Sequence, residues 1–471
     1  MQHLLWQPAR ELVRLVALGE VSAVDLLTAH FDQIARLDPR LNAFVDLRRD
    51  AALAEARAQD GLAAAGGPRG PLGGLPVTVK SAVEVAGLRC ETGSPSRAGA
   101  VADRDAVVVS RLRAAGAIVI GTTNVADMLM AYESENPLHG RTVSPWDPSR
   151  TPGGSSGGES AAIAAGCSGG GIGSDGGGSV RVPAHFAGIC ALKPTPGRIP
   201  GTGHQPPCFG PSSLLGVVGP MARTVGDLYL LLAAIAGWDA GDPMAAPVPI
   251  GPIAGQAPPG FRVGFFEDDG RVPVTAETRA TVRSAARAAA DAGFTVEEFR
   301  PAGLDRAREL WELFFCEIGL QVLAEPLKGA ERELPILKAF LSRGPRPALS
   351  GLGLTQAWID RDVARENLLR QMETHRVLIC PVAATPAFRH GEREWTVDGR
   401  IVRYLDAMSY TQWFNILGNP AAVVPAGRSP EGLPIGVQVV GRPFEEEAVL
   451  SVAAAIERGC GGYRPPPAAF D

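Results

Sequence analysis

A chain of 471 residues can hold two or three ordinary domains, or one large α/β core with insertions. Hydrophobic residues at 45%, charged residues at 20% and a net charge of −5 without a dense Lys/Arg cluster describe a globular protein and argue against a nucleic-acid partner. Seven scattered cysteines without CxxC spacing and seven histidines without HExxH indicate neither a disulfide framework nor a metal site, so no cofactor is expected; with no signal-like start and no apolar run longer than Leu228 to Trp238, the expectation is a cytoplasmic protein with no membrane partner.

The first fifty residues read as helices, with Ser22 and Asp25 as a capping arrangement for 23–37, where Leu27, Phe31 and Ile34 share a face. After a loop at 61–74, LPVTVK (75–80) is a short strand that ends in Lys80. VVVSRLRAAG (107–116) reads as a helix, AIVIGTTN (117–124) as a buried strand, and VADMLMAY (125–132) as the start of another helix. That alternation is the rhythm of an α/β fold. Residues 133–152 form a proline-rich loop, and a Gly/Pro-rich loop from Pro196 to Pro211 is long enough to line a pocket. A helix follows at 221–237, with Thr224 and Asp227 near its start. Residues 245–260 look like a linker, yet the strand, helix and strand pattern of 262–299 continues the same sheet, so the chain is read as one domain, 1–471. Residues 303–373 read as mostly helical and form a substrate-facing cap. Strands are predicted at 376–385, 420–427 and 434–441, and a closing helix at about 445–458.

The chemistry concentrates in 151–183, TPGGSSGGESAAIAAGCSGGGIGSDGGGSVRVP. A flexible linker has no reason to contain the helix-prone ESAAIAAGCS, so the glycines around it are placed. Three glycines before Ser179 let consecutive N–H groups converge, and the amides of Gly176, Gly177, Gly178 and Ser179 form a candidate oxyanion hole for attack by the Ser179 hydroxyl. The serine needs a base. Candidates are His185, the more distant His204, His375 and His390, or Lys80, which requires burial without a carboxylate partner to lose its proton near neutral pH. No Asp or Glu occurs from Gly176 to Gly226. Lysine is also scarce: Lys80, Lys193, Lys328 and Lys338 stand against 41 arginines, and the property that arginine lacks is the ability to give up its proton.

Other readings of the glycines fit less well. Gly171, Gly173 and Gly176 satisfy GxGxxG, but a helix precedes them where a dinucleotide fingerprint needs a strand. Gly153, Ser155 and Gly157 satisfy GxSxG, but loop precedes that nucleophile-elbow motif as well.

Taken together, GGSSGGESAAIAAGCSGGGIGSDGGGSVRVPA, LPVTVKS, GTTNVADM, NPLHGRTVSPWDPSRTPGGSSGGE, GICALKPTPGRIP and NPAAVVPAG…GLPIGVQVVG resemble the amidase signature family over roughly 10–240 and 375–460. The resemblance implies a single α/β domain, with a central twisted mixed β-sheet covered by helices on both faces and a catalytic core at about 60–240 and 375–460. It also implies a Ser–cis-Ser–Lys triad: Ser179 as acyl-forming nucleophile, Ser155 as the bridging serine and Lys80 as the base. A hydroxyl donates and accepts at once, so Ser155 can pass the Ser179 proton to a neutral Lys80 and return one to the leaving nitrogen. Ser156, Asp175 and Arg181 are expected to fix the glycine loops, Lys193 to lie at the surface or anchor a loop, and Cys167 and Cys190 to fill the core.

The expected activity is hydrolysis of C–N bonds in small carboxamides or carbamates, including urethane-type bonds, through an acyl-enzyme, by a monomer or homodimer. SVRVPAHF and PGRIPGTGHQPP depart from the branch that serves as the glutaminase component of a tRNA-dependent amidotransferase, which is the alternative. Leucine, methionine and aromatic residues at 129–132 and 311–315 suggest an apolar acyl or aryl pocket.

Overall fold

A computed structural model describes residues 1–67, 69–210, 212–254, 260–319 and 349–467. In chain order its strands are β1 (Phe44–Leu47), β2 (Pro76–Lys80), β3 (Ile118–Thr123), β4 (Glu135–Asn136), β5 (Gly140–Arg141), β6 (Gly171–Asp175), β7 (Cys190–Lys193), β8 (Val217–Ala222), β9 (Arg262–Phe265), β10 (Thr295–Glu298), β11 (Val377–Pro381), β12 (Glu394–Val397), β13 (Arg400–Arg403), β14 (Ala421–Arg428) and β15 (Pro434–Gly441). Eleven of them make one mixed sheet in the order β1-β3-β2-β6-β8-β7-β14-β15-β11-β9-β10, while β4 with β5 and β12 with β13 form small hairpins. The strands β3, β2 and β6 run parallel, as do β11, β9 and β10, and antiparallel strands β8, β7, β14 and β15 join the two groups.

Strand side chains alternate between two cores, one on each face. Ala422, Val424, Val377 and Ile379 enter one core, whereas Ala421, Val423, Leu378 and Cys380 enter the other. The first core packs against helices Ala23–Leu41, Val225–Ile235 and Glu446–Cys460, and the second against Arg181–Ala187, Leu304–Trp311 and Ser409–Ile416. The single α/β domain with helices on both faces therefore stands as expected.

The expected caps are present: the Ser22 hydroxyl accepts from the Asp25 N–H at 2.9 Å, and that of Thr224 accepts from the Asp227 N–H at 3.2 Å. Where a helix was predicted at 125–132, only a 3₁₀ turn, Asp127–Leu129, forms, with Met128 at φ 46° and Leu129 at φ 63°. The backbone groups there find partners elsewhere, since Met128 N–H donates to Thr92 O at 3.0 Å and Ala126 N–H to Ser155 O at 3.4 Å. The helix expected from 221 begins at Val225, because Met221 and Ala222 complete β8.

Within the expected cap, helix Leu304–Trp311 continues into a π-helical segment, Glu312–Ile318, and helix Gly351–Gln371 follows after a stretch outside the described residues that includes Lys328 and Lys338. No helix among the described residues is long and apolar enough to cross a membrane.

Candidate active site

Strands β2 and β6 are parallel neighbours, with Thr78 opposite Gly171 and Val79 opposite Ile172, so Lys80 and Asp175 both lie at the carboxyl ends of their strands, on the same side of the sheet. Carboxyl ends are where open α/β sheets place their ligands. From β6 the chain turns through Gly176, Gly177 and Gly178 to Ser179 and enters helix Arg181–Ala187; the second serine loop, Gly153 to Ser156, leads into helix Gly157–Ala164. The two loops are tied together where Ser156 N–H donates to Ser179 O at 3.2 Å.

The structure brings the three residues of the expected triad to one place. Lys80 Nζ donates to Ser155 Oγ at 2.7 Å and to Ser174 O at 3.3 Å. The Gly154–Ser155 peptide bond is cis, and Ser155 and Ser179 face the same pocket. Ser156 Oγ donates to Ser174 O at 3.3 Å, which fixes the carbonyl that Lys80 also uses.

Lys80 is completely buried, and that burial lowers its pKa to about 7 against the upward pull of Asp175 and Glu159. Both acidic residues lie upstream of the acid-free stretch seen in the sequence, and burial outweighs them. Glu159 is itself raised to about 8 by burial, although the Thr78 and Thr123 hydroxyls bond its oxygens.

Asp175 and Arg181 form a fully buried ion pair at 2.9 Å. The Arg181 guanidinium holds the Asp175 carboxyl well below the usual carboxylate range, despite burial, which alone would raise it. The carboxylate also accepts the N–H groups of Gly178 at 2.7 Å, Val180 at 3.2 Å and Arg181 at 3.4 Å.

This corrects one part of the expected oxyanion hole: the Gly178 N–H is directed at Asp175 and is not a free donor. The amides of Gly176, Gly177 and Ser179 have no acceptor among the described residues. Gly178 sits at φ 126°, and a Cβ there would collide with Thr411 Oγ1, so only glycine fits.

Several residues hold this loop from remote elements, a role that the sequence reading did not assign to them. Tyr132 OH and Thr411 Oγ1 donate to Gly177 O at 2.8 and 2.7 Å, and Trp311 Nε1 donates to Gly176 O at 2.9 Å. Asn415 Nδ2 donates to Asp175 Oδ1 at 3.0 Å, and Arg181 Nη1 donates to Gln438 Oε1 at 3.2 Å. The signals in the sequence were the motif that contains Gln438, GLPIGVQVVG, and the apolar segments 129–132 and 311–315, which include Tyr132 and Trp311 but were read only as pocket lining.

Of the two placements expected for Lys193, at the surface or anchoring a loop, the surface one does not hold. The residue is fully buried, and its Nζ donates to Pro194 O at 2.8 Å. Burial, reinforced by the charge of Arg181, lowers its pKa to about 7. Cys167 and Cys190 are buried as expected.

Among the histidines proposed as bases, His204 alone lines the pocket. Its Nδ1–H donates to Pro206 O at 2.9 Å, which leaves Nε2 to accept from Ser174 Oγ at 2.9 Å. His185 is buried with its two nitrogens on the backbone of Gly436 and Thr385.

The pocket has a volume of about 130 Å³. Its apolar wall is Met128, Leu129, Met130, Leu215, Phe314 and Phe315, which draws on both segments expected to be apolar, and the serines, His204 and Cys208 stand at its polar end.

The Amidase family profile matches residues 25–450. The chain belongs to the amidase signature family. Within it, the chain is 34% identical over 469 residues to an indoleacetamide hydrolase of Bradyrhizobium diazoefficiens, covering 97% of this chain and 87% of that protein. It is also 34% identical to a glutamyl-tRNA(Gln) amidotransferase subunit of Thermosynechococcus vestitus, covering 95% and 97% of the two chains. Among solved structures, a bacterial aryl acylamidase of the same family superposes with a TM-score of 0.85 at 26% identity, over 96% of each chain. This amidase signature protein is accordingly an amide-hydrolysing enzyme by family.

Proposed function

We propose that the protein is a free-standing hydrolase of small carboxamides or carbamates that carry one apolar or aryl group, and that Lys80, Ser155 and Ser179 perform the reaction. The observation that carries this reading is that methionine, leucine and phenylalanine side chains line the same pocket of about 130 Å³ as Ser179 and Ser155, the latter hydrogen-bonded to Lys80. Such a volume is close to that of engineered cavities of about 150 Å³ that take up benzene, so it matches a single ring.

In the proposed cycle, Ser179 Oγ attacks the carbonyl carbon while its proton passes to Ser155, whose own proton passes to neutral Lys80. The developing oxyanion takes the N–H groups of Gly177 and Ser179. Collapse breaks the C–N bond, and the leaving nitrogen receives a proton back through Ser155. Water then attacks the Ser179 ester by the same relay and releases the acid, or in the carbamate case, where the nitrogen has already left, a carbonic acid monoester that loses carbon dioxide to give the alcohol. With its pKa at about 7, Lys80 is neutral in a large fraction of molecules at physiological pH.

The test is release of product from a nitroanilide and a nitrophenyl carbamate with the same apolar group, and of ammonia from an aryl acetamide, by wild type and Ser179→Ala. Turnover by wild type alone supports the reading, and the ratio between substrates separates amidase from carbamate hydrolase. The similarity to an amidotransferase component favours a second reading, a glutaminase that works within a larger complex. Ammonia release from glutamine that appears only with partner proteins would replace the first reading with the second.

A further inference from the structure

Trp311 is the last residue of helix Leu304–Trp311, in the region expected to serve as a cap, yet it lies against the nucleophile loop. The indole is 2% exposed, stacks on Phe315 with ring centroids 4.7 Å apart and planes 14° from parallel, and donates its Nε1–H to Gly176 O at 2.9 Å. A Cβ on Gly177 would come within 2.6 Å of Trp311 Cζ2, and one on Gly176 within 3.1 Å of Phe315 Cε2. The aromatic plate therefore occupies the space that the two glycines leave open.

In a trans peptide the carbonyl and the following N–H point in opposite directions. Fixing the Gly176 carbonyl fixes the Gly177 N–H, which has no acceptor among the described residues. The next peptide is held separately: its carbonyl by Tyr132 and Thr411, its N–H by Asp175.

We propose that Trp311 is a positioning residue for the reaction: its indole N–H orients the Gly176–Gly177 peptide so that the Gly177 N–H meets the developing oxyanion. The substrate-facing helix thus acts on the rate of bond making as well as on substrate choice. This inference rests on the role proposed above for Ser179 and not on the identity of the substrate.

The experiment compares wild type, Trp311→Phe and Ser179→Ala by the rate at which an alkyl fluorophosphonate labels the protein. In that reaction the Ser179 Oγ–P bond forms, the P–F bond breaks, fluoride leaves and the proton enters the Ser155–Lys80 relay, while the phosphoryl oxygen takes up the charge that the oxyanion site receives. Trp311→Phe keeps a ring on Phe315 but removes the donor. The expected result is labelling about tenfold slower than wild type, the order conferred by one neutral hydrogen bond, at an unchanged reagent affinity. Because Lys80 is untouched, the dependence of labelling on pH keeps its position.

Trp311→His, which restores an N–H on a smaller ring, should recover part of the rate and serves as the second variant should Trp311→Phe fold poorly. Equal labelling of Trp311→Phe and wild type, or a loss confined to reagent affinity, overturns the proposal. Wild-type labelling without turnover of any aryl amide or carbamate would instead sink the substrate reading and leave the assignment of Trp311 intact.

Discussion

Replacing Lys80 by methionine should abolish turnover and yet stabilise the fold, by an amount that depends on pH in a defined direction. The ordinary lysine value of 10.5 applies in the unfolded chain, and burial brings the folded value to about 7. A depressed folded pKa means that between these values the unfolded state binds more protons, so wild-type stability rises with pH across that window. Below pH 7 the folded protein bears the whole cost of a buried ammonium, about 5 kcal/mol at 1.36 kcal/mol per pKa unit. By about pH 9 roughly 2 kcal/mol of it remains. Methionine carries no such cost, while losing the bonds to Ser155 and Ser174 adds an offset that does not change with pH. Urea unfolding of wild type and Lys80→Met at about pH 7 and about pH 9 should therefore show the advantage of the variant shrinking by about 2 kcal/mol. A difference that stays constant with pH would mean that Lys80 keeps its proton in the folded protein, and the reasoning that makes it a base would fail.

On the same grounds, kcat/KM of wild type should rise through an acid limb near pH 7 as Lys80 loses its proton, and a rate flat across that region would refute the assignment. Asp175→Asn should cost about 3–5 kcal/mol in urea unfolding, because it strands the fully buried Arg181 guanidinium; a loss below about 1 kcal/mol would show that the pair is replaceable. His204→Gln should lower turnover by less than about tenfold, since its Nε2 is already occupied by Ser174 Oγ–H and the loss is that of one hydrogen bond. A loss as complete as in Ser179→Ala would make His204 the base.

The parts of this site legible in the sequence are those whose physics is local. Glycine runs beside serines, a lysine closing a strand and Ser22 or Thr224 before a helix each act over a few residues, and each lies where the pattern put it. The helix expected at 125–132 failed because apolar periodicity says nothing of Thr92 O and Ser155 O, acceptors that compete for its N–H groups across the fold. The free donor count at Gly178 was hidden for a similar reason: whether an amide faces a substrate or Asp175 depends on one turn of backbone. The burial of Lys193 was not legible because β7 lies inside the sheet, between β8 and β14, a neighbourhood that a four-residue strand does not announce. Thr411 and Asn415 carry no motif of their own, Tyr132 and Trp311 stood out only as members of apolar segments, and only the folded chain sets all four around the Ser179 loop.

The sheet order also divides labour between the two halves of the polypeptide. Lys80, Ser155 and Ser179 all precede β9, whereas Trp311, Thr411, Asn415 and Gln438, which hold the nucleophile loop from behind, all follow it. The halves meet through the antiparallel β7–β14 pair, where Ala421 faces Lys193 and Val423 faces Ala191. An N-terminal fragment would thus contain all three residues of the proposed triad and still lack part of the scaffold that orders them. Two separately made fragments divided ahead of β9 would have to rebuild that strand pair and the contacts of Trp311, Thr411, Asn415 and Gln438 before Ser179 could take up the role proposed for it.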